Sequence, residues 1–233
     1  MNAPMNAPLD APAEASMGAP RNPPIALYSE ALLTASEGGL RPVARLRDGS
    51  VRPLYVDRWV AAADEVDERA LAEIGGPVLD VGCGPGRHLH ALARRGVFGL
   101  GVDLSAVAVD LARGGGVSAI VGSIFGEVPR AGRWRSALLL DGNIGIGGNP
   151  VRLLSRVGEL LTPDGEVLVE LAAPAAGTIE TMARLETSGA ISDWFPWAEV
   201  SAAAIGDLSR QARLSAGEAW SDRGRWFVRL YRR

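Results

Sequence analysis

One stretch constrains this chain more than any other: Val78–Leu92, reading VLDVGCGPGRHLHAL. A short, mostly apolar run, Val78–Val81, carries Asp80 and leads into Gly82, Gly84 and Gly86, then a helical pattern at Arg87–Arg94. Glycine at alternate positions lets a backbone turn tightly and lets a ligand approach with no Cβ in the way. The helix that follows presents unpaired N–H groups and a partial positive charge at its start. A strand, a glycine loop and a helix in that order make the first unit of a parallel sheet, and ligands bind at the carboxyl ends of such strands.

Strand and helix signals then alternate. Gly99–Val102 is a second strand, followed by a helix Ser105–Arg113 capped by Ser105, and Ala119–Val121 is a third strand. Ser136–Leu140 is the fourth strand, Pro150–Leu161 a helix with proline in its first turn, and Glu166–Leu171 the fifth strand. This alternation predicts a mostly parallel sheet covered by helices on both faces. Leu214–Trp220 and Arg225–Tyr231, joined across Asp222–Gly224, are read as an antiparallel hairpin ending the sheet. Before the sheet, residues 1–24 are rich in Ala, Pro and Asn and are read as a disordered tail. Residues 25–75 are read as an N-terminal extension: a helix at Ile25–Ser36, two strands within Val43–Val56 around Asp48-Gly49, and a helix Asp57–Ile74. The main domain is residues 76–233.

Asp80, Gly82, Gly84 and Gly86 resemble the motif of the class I, S-adenosylmethionine-dependent methyltransferases: an acidic residue with glycines at the second, fourth and sixth positions after it. A dinucleotide fingerprint starting at Gly82 instead requires a third glycine where Arg87 stands. The resemblance covers roughly Gly76 to the C-terminus. It implies a three-layer αβα, Rossmann-like, seven-stranded sheet with the terminal hairpin, and S-adenosylmethionine as cofactor. It places the loop Asp80–Gly86, with Cys83 inside it, against the methionine part. Asp103 at the second strand's end receives the ribose diol, Leu104 packs on the adenine, and Ser123 with Ile124 follows on the adenine side. Many members have a carboxylate near Ser123, and a serine hydroxyl is a weaker acceptor. Asp141 and Asn143, after the fourth strand, are the catalytic candidates. Asp141 is placed to accept from the methionine ammonium or to take an acceptor proton, and Asn143 to orient the acceptor. Both residue types also close strands as Asx turns.

Other residues add to the site or are set aside. The glycines 145, 147 and 148 suggest a mobile or tightly turned loop. Trp194-Phe195-Pro196-Trp197, ahead of a helix Ser201–Gln211, wall either the acceptor pocket or the core. Tyr28 and Trp59 are placed to close the same pocket. His88 is read as reaching solvent near the cofactor, and Cys83 as a small buried loop residue.

Composition excludes more than it assigns. There is no lysine, which removes Schiff-base and Walker-loop chemistry. One cysteine and two histidines supply neither a disulfide nor a metal site. A net charge of -3 argues against nucleic acid, and no apolar run approaches the ~20 residues of a membrane span. The N-terminus lacks a signal-peptide pattern, so the expected location is the cytoplasm. The expected partner is a small-molecule methyl acceptor; oligomeric state is not readable. The alternatives are aminopropyl transfer on the same scaffold, with Asp64, Glu65, Asp67 and Glu68 as an acidic run, a non-catalytic cofactor-binding protein, and a nicotinamide oxidoreductase, which Arg87 disfavours.

Overall fold

A computed structural model describes residues 22–35 and 41–233. The tail reading of residues 1–21 lies outside these residues. In chain order the N-terminal part holds α1 (Pro24–Thr34), β1 (Val43–Leu46), β2 (Val51–Pro53), α2 (Val56–Val60) and α3 (Glu65–Leu71). The main sheet begins with β3 (Val78–Val81), α4 (Arg87–Arg94), β4 (Gly99–Asp103), α5 (Ala106–Gly114), β5 (Ser118–Val121) and β6 (Trp134–Leu139). A 3-10 segment, Asn143–Gly148, precedes α6 (Pro150–Leu160) and β7 (Leu161–Leu171). Then come β8 (Ile179–Glu186), β9 (Phe195–Glu199), α7 (Ile205–Gln211), β10 (Leu214–Ala216), β11 (Trp220–Asp222) and β12 (Arg225–Arg232).

The main sheet runs β10-β12-β7-β6-β3-β4-β5, with β11 also paired to β12. β3, β4, β5, β6 and β7 are parallel, and β12 enters antiparallel between β7 and β10. This is the seven-strand, mostly parallel path expected from the sequence. The central strand β3 is buried at all four positions, as a strand covered on both faces must be. Its alternate residues divide the core. Leu79 and Val81 face α6 and α7 with Ala137, Leu139, Val167 and Val169. Val78 faces α3 and α4 with Leu138, Leu168 and Phe227. The chain steps from β3 outward to β4 and β5, then returns to β6 on β3's other side. The loop after β3 therefore stands at the switch point where an open α/β sheet binds its ligand.

A second, four-stranded antiparallel sheet has the order β2-β1-β8-β9. It draws strands from both sides of the boundary at residue 75. β8 and β9 were not read from the sequence; Phe195–Glu199 is a strand, and α7 starts only at Ile205. Helix Asp57–Ile74 is also corrected. Ala61 is extended, and Asp64 starts α3 with a capping box: Asp67 N donates to Asp64 Oδ1 at 2.8 Å and Asp64 N to Asp67 Oδ2 at 3.1 Å. Residues 22–24 are ordered rather than tail. Asp193 N donates to Asn22 O at 2.9 Å, and Pro24 opens α1.

Candidate active site

The loop after β3 carries positive φ at all three motif glycines: 68° at Gly82, 54° at Gly84 and 88° at Gly86. L-residues with side chains rarely adopt these angles, so the glycines are required by conformation. Gly82 is also fixed by space, because a Cβ there would lie 2.8 Å from Asn143 Nδ2. That amide donates to Val81 O at 2.8 Å and Gly82 O at 3.0 Å. Asn143 thus holds the loop through its amide nitrogen.

Asp103 ends β4 beside this loop. Its Oδ2 accepts from Gly84 N at 2.9 Å and its Oδ1 from Ser105 N at 2.8 Å. The two bonds lock the carboxylate in place and leave each oxygen a further lone pair. Burial pushes its pKa up despite these bonds. Leu104 is 61% exposed, an apolar side chain left at the crevice rim. Ser123 is exposed, and its Oγ accepts from Phe125 N at 3.2 Å. The side chain of Ile124 is buried in the core, and that of Cys83 packs against Leu89 and Val109 in the helix layer, as a small buried loop residue does, which leaves the backbone of each to face a ligand. Burial raises the Cys83 thiol well above its ordinary value, so it is no nucleophile.

Below the loop lies a buried charge cluster. Asp80, Glu170 and Arg225 share the α3–α4 face of the sheet, and α3 and α4 cover them with Asp67, Arg87 and His88. Arg87 Nη2 donates to both oxygens of Asp141, at 2.6 and 2.7 Å, and Nη1 to Asp67. Arg225 donates to Asp67 at 2.8 Å and to both oxygens of Glu170 at 2.7 Å. Arg58 donates to Asp67 at 3.2 Å. Burial would raise the Asp67 carboxyl, but contacts with His88, Arg225 and Arg87 prevail and hold it well below the usual range. Asp141 is lowered likewise: burial opposes, and the charges at His88 and Arg87 win. Asp80 is different. Burial pushes its carboxyl up to about 6, and its Oδ2 has no hydrogen-bond partner.

The sequence reading placed His88 at solvent. It is buried, with Nε2 3.6 Å from Asp67 Oδ1 and Nδ1 4.0 Å from Asp80 Oδ2. In the sequence Asp67 reads only as part of an acidic run and Arg87 only as the residue spoiling a dinucleotide motif. The Asp64-x-x-Asp67 spacing of a capping box was the signal that could have separated Asp67 from that run.

Aromatic side chains pack over both glycine segments. Tyr28 and Trp59 meet edge to face at 5.9 Å, and the Tyr28 hydroxyl stands 3.3 Å from where a Cβ on Gly84 would be. The Trp197 indole covers Gly145, and Phe125 covers Gly147. The glycine-rich 3-10 segment is therefore tightly turned and close-packed under β9, the second of the two expected alternatives. Two grooves, of about 420 and 290 Å³, lie on the outer side of Pro85–Arg87; neither is lined by Asp103, Leu104 or Asp141.

A glycine loop at the switch point, with a fixed carboxylate ending the neighbouring strand, defines a class of nucleoside-binding α/β enzymes. Residues 78–165 match a family model described as a methyltransferase domain. The fold is shared with a SAM-dependent methyltransferase from Bacteroides fragilis in complex with S-adenosyl-L-homocysteine: TM-score 0.71, 22% identity, 89% of this chain and 93% of that one. It is also similar to the 1,6-didemethyltoxoflavin-N1-methyltransferase of Burkholderia thailandensis, solved with 1,6-didemethyltoxoflavin and S-adenosylhomocysteine: TM-score 0.58, 20% identity, 99% and 94% covered. A third is the CcbJ methyltransferase of Streptomyces caelestis: TM-score 0.56, 21% identity, 75% and 91% covered. No curated protein sequence matches the chain. Residues 78–165 thus carry the match to a methyltransferase domain, and the fold is that of S-adenosylmethionine-dependent methyltransferases.

Proposed function

We propose that the enzyme transfers a methyl group to a small-molecule acceptor by in-line displacement, with residues 25–75 and β8–β9 forming the cap over the acceptor. The observation that carries the cofactor seat is the Asp103 carboxylate, locked by Gly84 N and Ser105 N at the mouth of a positive-φ glycine loop. The residues fit S-adenosylmethionine. Asp103 meets the ribose diol, exposed Leu104 the adenine face and Ser123 its edge, while the Asp80–Gly86 backbone meets the methionine part. The unpaired Asp80 Oδ2 and the Asp141 carboxylate face a cationic ammonium.

When bound, the cofactor supplies an electrophilic methyl on a sulfonium. The chain's own part is alignment of acceptor lone pair, methyl and sulfur, which provides much of the rate without a strong base. Asp141 suits the ammonium better than proton abstraction, because Arg87 holds its carboxyl low. Asn143 acts by fixing Val81 and Gly82.

A small acceptor is favoured by the roof of Tyr28, Trp59 and Trp197, and by the net charge of -3. The Burkholderia thailandensis relative holds a small molecule of this kind. Among the described residues no helix is long and apolar enough to cross a membrane. The acidic run offers a polyamine little: Asp67 is buried in ion pairs, Glu65 meets Arg69 and Arg223, and Glu68 meets Arg94.

The test is incubation with S-adenosylmethionine and a panel of phenols, heteroaromatic amines and carboxylic acids. S-adenosylhomocysteine and a methylated product are expected with at least one. Methylthioadenosine as product would establish aminopropyl transfer instead, and tight cofactor binding with no turnover across the panel would favour a binding protein.

A further inference from the structure

Tyr28 reaches the crevice from α1, outside every motif of the sheet domain. The helix holding it is anchored on two sides. Leu27 packs with Ala44 and Leu185 of the second sheet, and Ala31 and Leu32 pack with Ala108 of α5. Ser29 Oγ and Ser105 Oγ share a hydrogen bond of 2.7 Å. Ser105 caps α5 and donates its N–H to Asp103, so α1 is tied to the residue that carries the nucleoside site.

The ring is set by its edge-to-face contact with Trp59. Its hydroxyl stands over Gly84, yet bonds no protein group among the described residues. Burial, then the negative charge at Asp103, holds the phenol well above its ordinary pKa, so it stays a protonated donor. The hydroxyl is not a buried atom, so a ligand oxygen beside Gly84 can reach it and accept its hydrogen. The surrounding side chains, Asp80, Asp103 and Asp141, offer acceptors to the ligand; Tyr28 offers a hydrogen.

We propose that Tyr28 is a cofactor-positioning residue, its hydroxyl donating to an oxygen of S-adenosylmethionine where the nucleoside crosses Gly84. The proposal rests on the cofactor seat argued above. It assigns the N-terminal helix a direct part in ligand binding and not only in roofing the acceptor.

Tyr28→Phe keeps the ring and its Trp59 contact and removes only the oxygen. Calorimetry with S-adenosylhomocysteine is expected to show about 5–10-fold weaker binding than wild type, the size of one lost hydrogen bond. The thermal midpoint of the ligand-free variant is expected to match wild type. With an acceptor in hand, KM for S-adenosylmethionine should rise by the same factor with kcat nearly unchanged. Equal affinity for wild type and Tyr28→Phe overturns the role of Tyr28 while leaving the seat intact. A fall in affinity matched by a drop in the ligand-free midpoint also overturns it, showing a packing role. No binding by wild type overturns the seat itself.

Discussion

Arg87 Nη2 grips both carboxylate oxygens of Asp141, at 2.6 and 2.7 Å, from the first residue of α4. The same guanidinium bonds Asp67 through Nη1. One side chain therefore ties the segment before the sheet to the loop after β6, directly beneath the cofactor loop. Buried ion pairs repay their desolvation only when fully partnered, and losing one member leaves the others exposed to that cost.

Arg87→Ala is accordingly expected to destabilise the protein by about 3 kcal/mol or more, since it takes from Asp141 the donor to both its oxygens and from the fully buried Asp67 one of its three guanidinium partners. Arg87→Lys is expected to recover only part, because an ammonium cannot reproduce the forked geometry. Urea unfolding of the three proteins checks this; an unchanged midpoint for Arg87→Ala would remove the clamp from the account.

The pH dependence has a sign that can be worked out. Asp80, raised to about 6 by burial, contributes stability that is fully present below its unfolded pKa and lost as pH rises through 6. Asp67 and Asp141, held low, act in the opposite sense: their contribution is present above the ordinary carboxylate pKa and lost as pH falls. Asp80→Asn isolates the first effect. From pH 4 to 7 the stability of wild type relative to this variant is expected to fall by up to roughly 3 kcal/mol. Parallel stability curves would show that Asp80 ionises normally.

Gly145→Ala tests the packing of the 3-10 segment against β9. The new Cβ would lie 2.1 Å from Ala198 O and 2.7 Å from the Trp197 ring, and the first obstacle is backbone. A loss of about 1–3 kcal/mol is expected, as for other overpacked sites. Gly75→Ala, with nothing within 4 Å of its Cβ, is the control and should be near neutral. Equal midpoints for the two variants would show that β9 does not bear on this segment.

The loop was legible because its chemistry is local. Asp80 and three glycines at fixed spacing require one backbone path, and all three glycines take positive φ. The strand alternation of the sheet was legible for the same reason. The second sheet was not, because β1 and β8 pair although about 140 residues separate Val43 from its partner Glu186. The alternation in Ile179–Glu186 was the available trace. The charge cluster was hidden more deeply. Asp67, Arg87, Asp141 and Arg225 are each ordinary surface types in sequence, and only the crossing of α3 and α4 over the strand ends brings them together. The reach of Asn143 back to Val81 was not legible, since it depends on the path of the 3-10 segment.

The most direct measurement is a crystal structure of the protein grown with S-adenosylhomocysteine. The expected result has the ribose diol within hydrogen-bond distance of the Asp103 carboxylate, the adenine against Leu104 and the amino-acid part along Gly82–Gly86. A nucleoside bound elsewhere, or seated with its ribose out of reach of Asp103, would contradict the central claim.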